Sequence, residues 1–141
     1  MNDETTSRIH WSFWVIGSIT LIWHLLGVAN FFVQMDPEMV ESFREAEQAI
    51  IAGRPGWATA GFALAVFGGA LGCLLLLFRQ ATSLYLFMIS LVGVVITMIH
   101  TLSAGLDFRM GEYLGIILLP VLVAVYLIWY TIRCKAKAWV R

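Results

Sequence analysis

Two histidines set within apolar runs, His24 and His100, are the side chains of this sequence with the widest chemical range. An imidazole in hydrocarbon can ligate a haem iron, relay a proton or satisfy itself with a hydrogen bond. Hydroxyls and small residues accompany both. Gly17, Thr20, His24 and Gly27 follow steps of three, four and three, and Ser90, Gly93, Thr97 and Thr101 follow helical steps with His100 at their edge. Such spacing aligns each set along one stripe of a helix. A polar group in hydrocarbon is costly without a hydrogen-bond partner, so the two stripes are expected to face the bundle interior and each other. His24 is then expected to bond Thr97 or Ser90.

Depth argues against a haem held by both imidazoles. His24 lies about 15 Å from the outer end of its run and His100 about 5 Å from the end of its own, at the helical rise. Two axial ligands need similar heights, so no cofactor is assigned. A second constellation gathers toward the outer end, where Asn30, Gln34, His100, Asp107 and Glu112 can surround a water-filled vestibule holding an ion or polar solute. The interior polar set is therefore His24, Thr20, Ser90, Thr97, Asn30, Gln34 and His100.

Other chemistries find no support in the residue pattern. Acidic residues fall outside the apolar runs, which disfavours proton-coupled export of the small multidrug type. Cys73 lies deep in one run and Cys134 beyond another, so a disulfide is not expected, and no Cys-x-x-Cys pair exists. There is no glycine-rich phosphate loop, no metal-ligand spacing and too little positive charge to bind nucleic acid. No catalytic residue is assigned, and the chain reads as a non-enzyme.

The elements that must position these residues are legible from composition. With 60% hydrophobic and 13% charged residues, the chain lies outside the range of soluble domains. Apolar runs cover 11–34, 57–78, 81–103 and 113–132, each near the ~20 residues that cross a ~30 Å hydrocarbon layer as a helix. The first is too long for the ~7–15 apolar residues of a signal peptide. The fold class is an all-α membrane protein, one four-transmembrane-helix bundle over residues 1–141.

Charge sorts by sign between the runs. The tails and second connection carry Arg8, Arg79, Arg133, Lys135, Lys137 and Arg141, whereas the opposite side carries only Arg44, Arg54 and Arg109 among many acidic residues. Positive charge in short loops stays cytoplasmic, which predicts both termini inside. Trp11, Trp14, Tyr85, Trp129 and Tyr130 then mark the inner boundary, and Trp57 and Tyr113 the outer one. The basic C-terminal residues read as a contact with anionic headgroups.

Between the first two spans a short amphipathic helix is expected over 37–52. Asp36 caps it, Pro37 suits its first position, and Gly53 and Pro55 stop it. Met39, Phe43, Ala46 and Ile50 share its apolar face, which suits a lid over the bundle's outer end or a docking surface for a partner. In the second span Gly61, Ala65, Gly68, Gly69 and Gly72 form a small-residue face of the kind that lets helix backbones approach closely. The fourth span lacks a polar stripe, so it is expected to be the lipid-facing helix, bent at Pro120.

The stretch IWHLLGVANFFVQMDPEMVESF and the later GWATAGFALAVFGGALGCLLLLFRQATSLYLFMISLVGVVIT carry a resemblance through Trp23, Gly27, Pro37-Glu38, Trp57, Phe67-Gly68-Gly69-Ala70-Leu71-Gly72 and Arg79. Over residues 14–102 the chain resembles small bacterial four-span inner-membrane proteins of uncharacterised function, many bearing an automatic "sugar transporter" label. The resemblance implies a multi-pass protein of the bacterial cytoplasmic membrane. In that pattern an Asn and an Asp stand where this chain has His24 and Asn30, so an acidic intramembrane group of the relatives is missing. The sequence favours a non-enzymatic membrane protein acting by association, as an accessory subunit of a membrane complex or a homo-oligomer. Its partners are then the lipid bilayer and other membrane subunits or further copies of itself. The alternatives are a small-solute transporter or channel using the interior polar set, and a redox subunit binding haem or quinone.

Overall fold

A computed structural model describes residues 8–105 and 108–141, and among them the fold is all-α. The helices are α1 (Trp11–Val33), α2 (Pro37–Val40), α3 (Glu45–Ala52), α4 (Gly56–Leu77) and α5 (Ser83–Ser103). A last long helix, Met110–Ala136, consists of α6 (Met110–Glu112), a π-helical segment (Tyr113–Leu118) and α7 (Leu119–Ala136). Four of these, α1, α4, α5 and Met110–Ala136, are long and apolar enough to cross a membrane. The protein is a four-helix membrane bundle.

The last helix runs from Met110 to Ala136, beyond both ends of the expected 113–132. Glu112 therefore stands in its first turn, where its carboxylate accepts the Arg109 backbone N–H at 3.0 Å. An acidic residue favours the positive end of a helix, and this one corrects the expectation that every acidic residue lies outside the spans. Pro120 has no N–H to donate to the preceding turn. The chain widens just before it, the Leu119 N–H reaching back five residues to the Leu114 carbonyl.

The expected single helix over 37–52 is broken. Asp36 does cap α2, accepting the Glu38 N–H at 3.0 Å, and Pro37 follows it. Over 41–44 side chains then take the bonds that a continuous helix would make. The Ser42 hydroxyl donates to the Met39 carbonyl at 2.6 Å, and the Gln48 amide donates to the carbonyls of Phe43 and Glu41 at 2.7 and 3.1 Å. Arg44 enters α3 in an extended conformation. The break rotates Met39 out of the predicted face: Met39 and Ala46 are exposed, Phe43 is half-buried and Ile50 is buried.

Helices pack in chain order, with the α4–α5 pair most extensive and α1 and α7 as outer members on either side. Glycines explain why α4 is central. Gly68 lies against the Leu86 carbonyl and Ser90 backbone, Gly72 against the Phe87 ring, and Gly61 against Ile96 and the Gly93 carbonyl. From α5, Gly93 returns the approach against Ala65 and Gly61. Lipid tails supply no hydrophobic drive for association, so close backbone contact of this kind provides the packing energy. The Ser90 hydroxyl adds a bond across the pair, donating to the Ala65 carbonyl at 2.6 Å.

This order corrects two expectations. The polar stripes of α1 and α5 are not packed on each other: α1 packs chiefly on α4, and the stripes share only the wall of a cavity. The least buried span is α1, not the fourth, since α1 packs chiefly on α4 whereas α7 turns inward near its C-terminal end. There, at the end of the bundle where α1 begins and α7 finishes, all four spans contribute to one core through Phe13, Leu76, Phe87 and Leu127. The connection after α4 is tied into it. Arg79 adopts a left-handed φ of 64°, held by the Arg141 N–H on its carbonyl at 2.8 Å and by its own Nε donating to the Trp139 carbonyl at 2.9 Å.

Candidate ligand-binding cavity

At the opposite end the outer helices diverge, and a cavity of about 550 Å³ opens between α1 and the last helix. Its back wall is the α4–α5 pair, through Phe62, Ala65, Val66, Val94, Thr97, Met98 and Thr101. One side is α1, with Trp23, His24, Gly27, Asn30 and Gln34. The other is the segment around the π-helical turn, with Gly115, Ile116, Ile117, Pro120 and Ala124. Phe43, Glu47, Ile50 and Ile51 of the α3 region and Arg54 roof it. Its size falls within the ~300–1,000 Å³ of small-molecule pockets.

The cavity gathers only part of the predicted interior set. His24, Asn30, Gln34 and Thr97 line it; Thr20, Ser90 and His100 do not. Thr20 positions instead, its carbonyl 2.8 Å from His24 Nδ1. A carbonyl only accepts, so Nδ1 carries a proton. That bond replaces the expected one to Thr97 or Ser90. The Cδ2–Nε2 edge of the imidazole covers Gly69, where an added Cβ would collide with the ring. Gly69 thus serves the α1–α4 contact while its neighbours on the small face serve α5. The Thr97 hydroxyl is spent within α5, donating to the Gly93 carbonyl at 2.9 Å.

His100 anchors the roof. It is buried, and its Nε2 donates to the Ile50 carbonyl at 3.3 Å, one of the last α3 carbonyls that lack a helical partner. The Trp57 indole meets it edge-on at 5.9 Å. Glu112 is a second anchor rather than a vestibule ligand: Arg44 bonds it, and bonds Glu47 at 2.8 Å. The bond to Glu47, then that to Glu112, raises the Arg44 guanidinium above its ordinary pKa. Asp107, the remaining vestibule candidate, lies outside the described residues.

Two participants escaped the sequence reading. Cys73, fully buried and free, places its Sγ 3.6 Å from Thr20 Oγ1 and 3.7 Å from His24 Nδ1. Its burial and the prior engagement of Nδ1 make this a packing contact rather than an activated thiol. Arg54, read from sequence only as a charge, turns inward. It donates to Gln34 Oε1, its guanidinium sits 5.2 Å over the Phe62 ring, and its buried Nη1 has no hydrogen-bond partner. Burial lowers its pKa. The Gly53-Arg54-Pro55 order marked a turn between α3 and α4 but carried no signal for which way Arg54 points.

Among the described residues no cluster of three or more His, Cys, Asp or Glu side chains is placed to hold a metal. No family model, no curated protein and no solved structure matches the chain.

Proposed function

We propose that this is a non-enzymatic membrane protein whose work is to bind a small amphiphilic molecule in the cavity between α1 and the last helix. The observation that carries the reading is the form of that cavity: walled by all four spans, roofed by α3 and closed below by the core of Phe13, Leu76, Phe87 and Leu127. A blind cavity of this kind suits capture and presentation of a ligand rather than a continuous channel through one copy. Its mixed lining suits a molecule with one polar end, since Asn30, Gln34 and Arg54 sit at the roof and apolar side chains lie deeper. Along α1, His24 lies about 9 Å below Asn30 at the helical rise. The charge asymmetry and the resemblance to small bacterial four-span proteins support a cytoplasmic membrane with both termini inside, so that the roof faces the exterior.

The test is retention of a ligand. Protein drawn from its native membrane into lipid nanodiscs is expected to carry a small molecule detectable by native mass spectrometry. Ile117→Trp and Thr97→Phe, which fill the cavity from two different walls, should lose it while keeping wild-type helicity and dispersity. A wild-type protein that carries nothing, or variants that retain the molecule fully, would overturn the reading.

A further inference from the structure

Charge around the cavity is unevenly matched. Of the two arginines near the roof, Arg44 takes both neighbouring carboxylates, Glu47 and Glu112. Arg54 is left with a neutral amide, Gln34, and an aromatic face, Phe62. Its Nη1 is buried yet bonded to nothing, and no ion pair to Arg54 exists among the described residues. A guanidinium nitrogen withdrawn from water in this way is costly unless an acceptor completes it. Phe62, Val66, Ile117 and Pro120 continue the same cavity as an apolar channel. The gap between α1 and the last helix opens it sideways, toward where acyl chains lie in a bilayer.

We propose that the cavity takes a single-chain amphiphile with a carboxylate head, seated on Arg54 and Gln34 with its tail along Phe62, Val66 and Pro120. This rests on the ligand-binding reading above and names its ligand class. The planar guanidinium fork matches a carboxylate, and seating one turns the Arg54 head so that Nη1, buried and unpartnered in the unliganded protein, comes round to donate to it. Among the described residues Arg54 is the one arginine or lysine of the lining and has no carboxylate of its own, while Glu47 and Glu112 are held by Arg44, so a singly charged head meets less repulsion there than a doubly charged phosphate.

The experiment uses the full chain in nanodiscs of neutral phosphatidylcholine, and reads thermal stabilisation by palmitate, by hexadecanol and by acetate. Binding to the folded state raises the melting temperature with ligand concentration. Palmitate is expected to stabilise, hexadecanol to do so at least tenfold less potently, and acetate not at all. Arg54→Gln should bring palmitate down to the level of hexadecanol, and Arg54→Lys should restore part of the preference, which separates loss of the head contact from loss of fold. Ile117→Trp should abolish both responses, which excludes a general effect of charge added to the bilayer. Equal responses to palmitate and hexadecanol in the wild type, both lost in Ile117→Trp, would overturn this inference while leaving the binding reading intact. Responses that persist in Ile117→Trp, or none to either amphiphile, would overturn the carboxylate site, and retention of a native ligand would then decide the binding reading separately.

Discussion

At the scale of single residues, the α1–α4 contact turns on one pair. Gly69 offers a bare backbone on which the His24 imidazole lies, and the Thr20 carbonyl at 2.8 Å holds the ring there. A methyl group at Gly69 must displace an aromatic ring that is bonded on its other side. Gly69→Ala is therefore expected to destabilise the protein by about 1–3 kcal/mol, as overpacking does elsewhere. Adding His24→Ala should relieve most of that cost, because the space claimed by the methyl is then vacant. Denaturant titration of the two single variants and the double in detergent measures the coupling, and simple additivity would refute the pairing. The spacing of His24 with Thr20 was legible in the sequence. Its resting place on Gly69 was not, because helical periodicity says which residues share a face and not which helix that face meets.

The roof is the element whose behaviour differs most from its helical pattern. A continuous amphipathic helix gives way to α2 and α3 because Ser42 and Gln48 capture backbone carbonyls around the break. What then holds α3 over the cavity is a short set of tethers: His100 to the Ile50 carbonyl, and Arg44 to Glu112. The Arg44 pairs are solvent-exposed, so their attraction is screened by salt. Arg44→Gln is expected to speed amide hydrogen exchange across Glu45–Ala52 at low ionic strength and leave α4 unchanged. In the wild type, added salt should produce a similar acceleration, whereas the variant should respond little. An unchanged exchange rate in Arg44→Gln would show that His100 and Ile50 hold the roof alone.

For the whole molecule, the helices follow one another in space as in sequence, leaving a seam between the first and the last. The seam is shut where α1 begins and α7 finishes by a core drawn from all four spans, and toward the other end, beneath α3, it widens into the cavity. Sorted charges place the shut end in the cytoplasm under the proposed orientation. Fluorescent protein fused after Arg141 should then fluoresce, and alkaline phosphatase fused there should stay inactive. A reporter inserted between Gln34 and Asp36 should give the reverse pattern. The opposite result at both sites would put the roof and Arg54 on the cytoplasmic side and reverse the leaflet from which a ligand enters.

Composition and spacing by themselves determined the four long helices, the capping of α2 by Asp36 and the small-residue face of α4, since all of these depend on neighbours within a turn or two. Tertiary structure alone decided that α1 packs on α4 rather than on α5, that His100 anchors the roof and that Arg54 points inward without a carboxylate partner. In hydrocarbon every helix surface is apolar enough to meet any other, so the choice of neighbours falls to backbone approach at particular glycines and to polar groups far apart in sequence. Glu112 and Arg44, Arg54 and Gln34, His100 and Ile50 each join separate elements. Such pairings arise only after the helices have found their order.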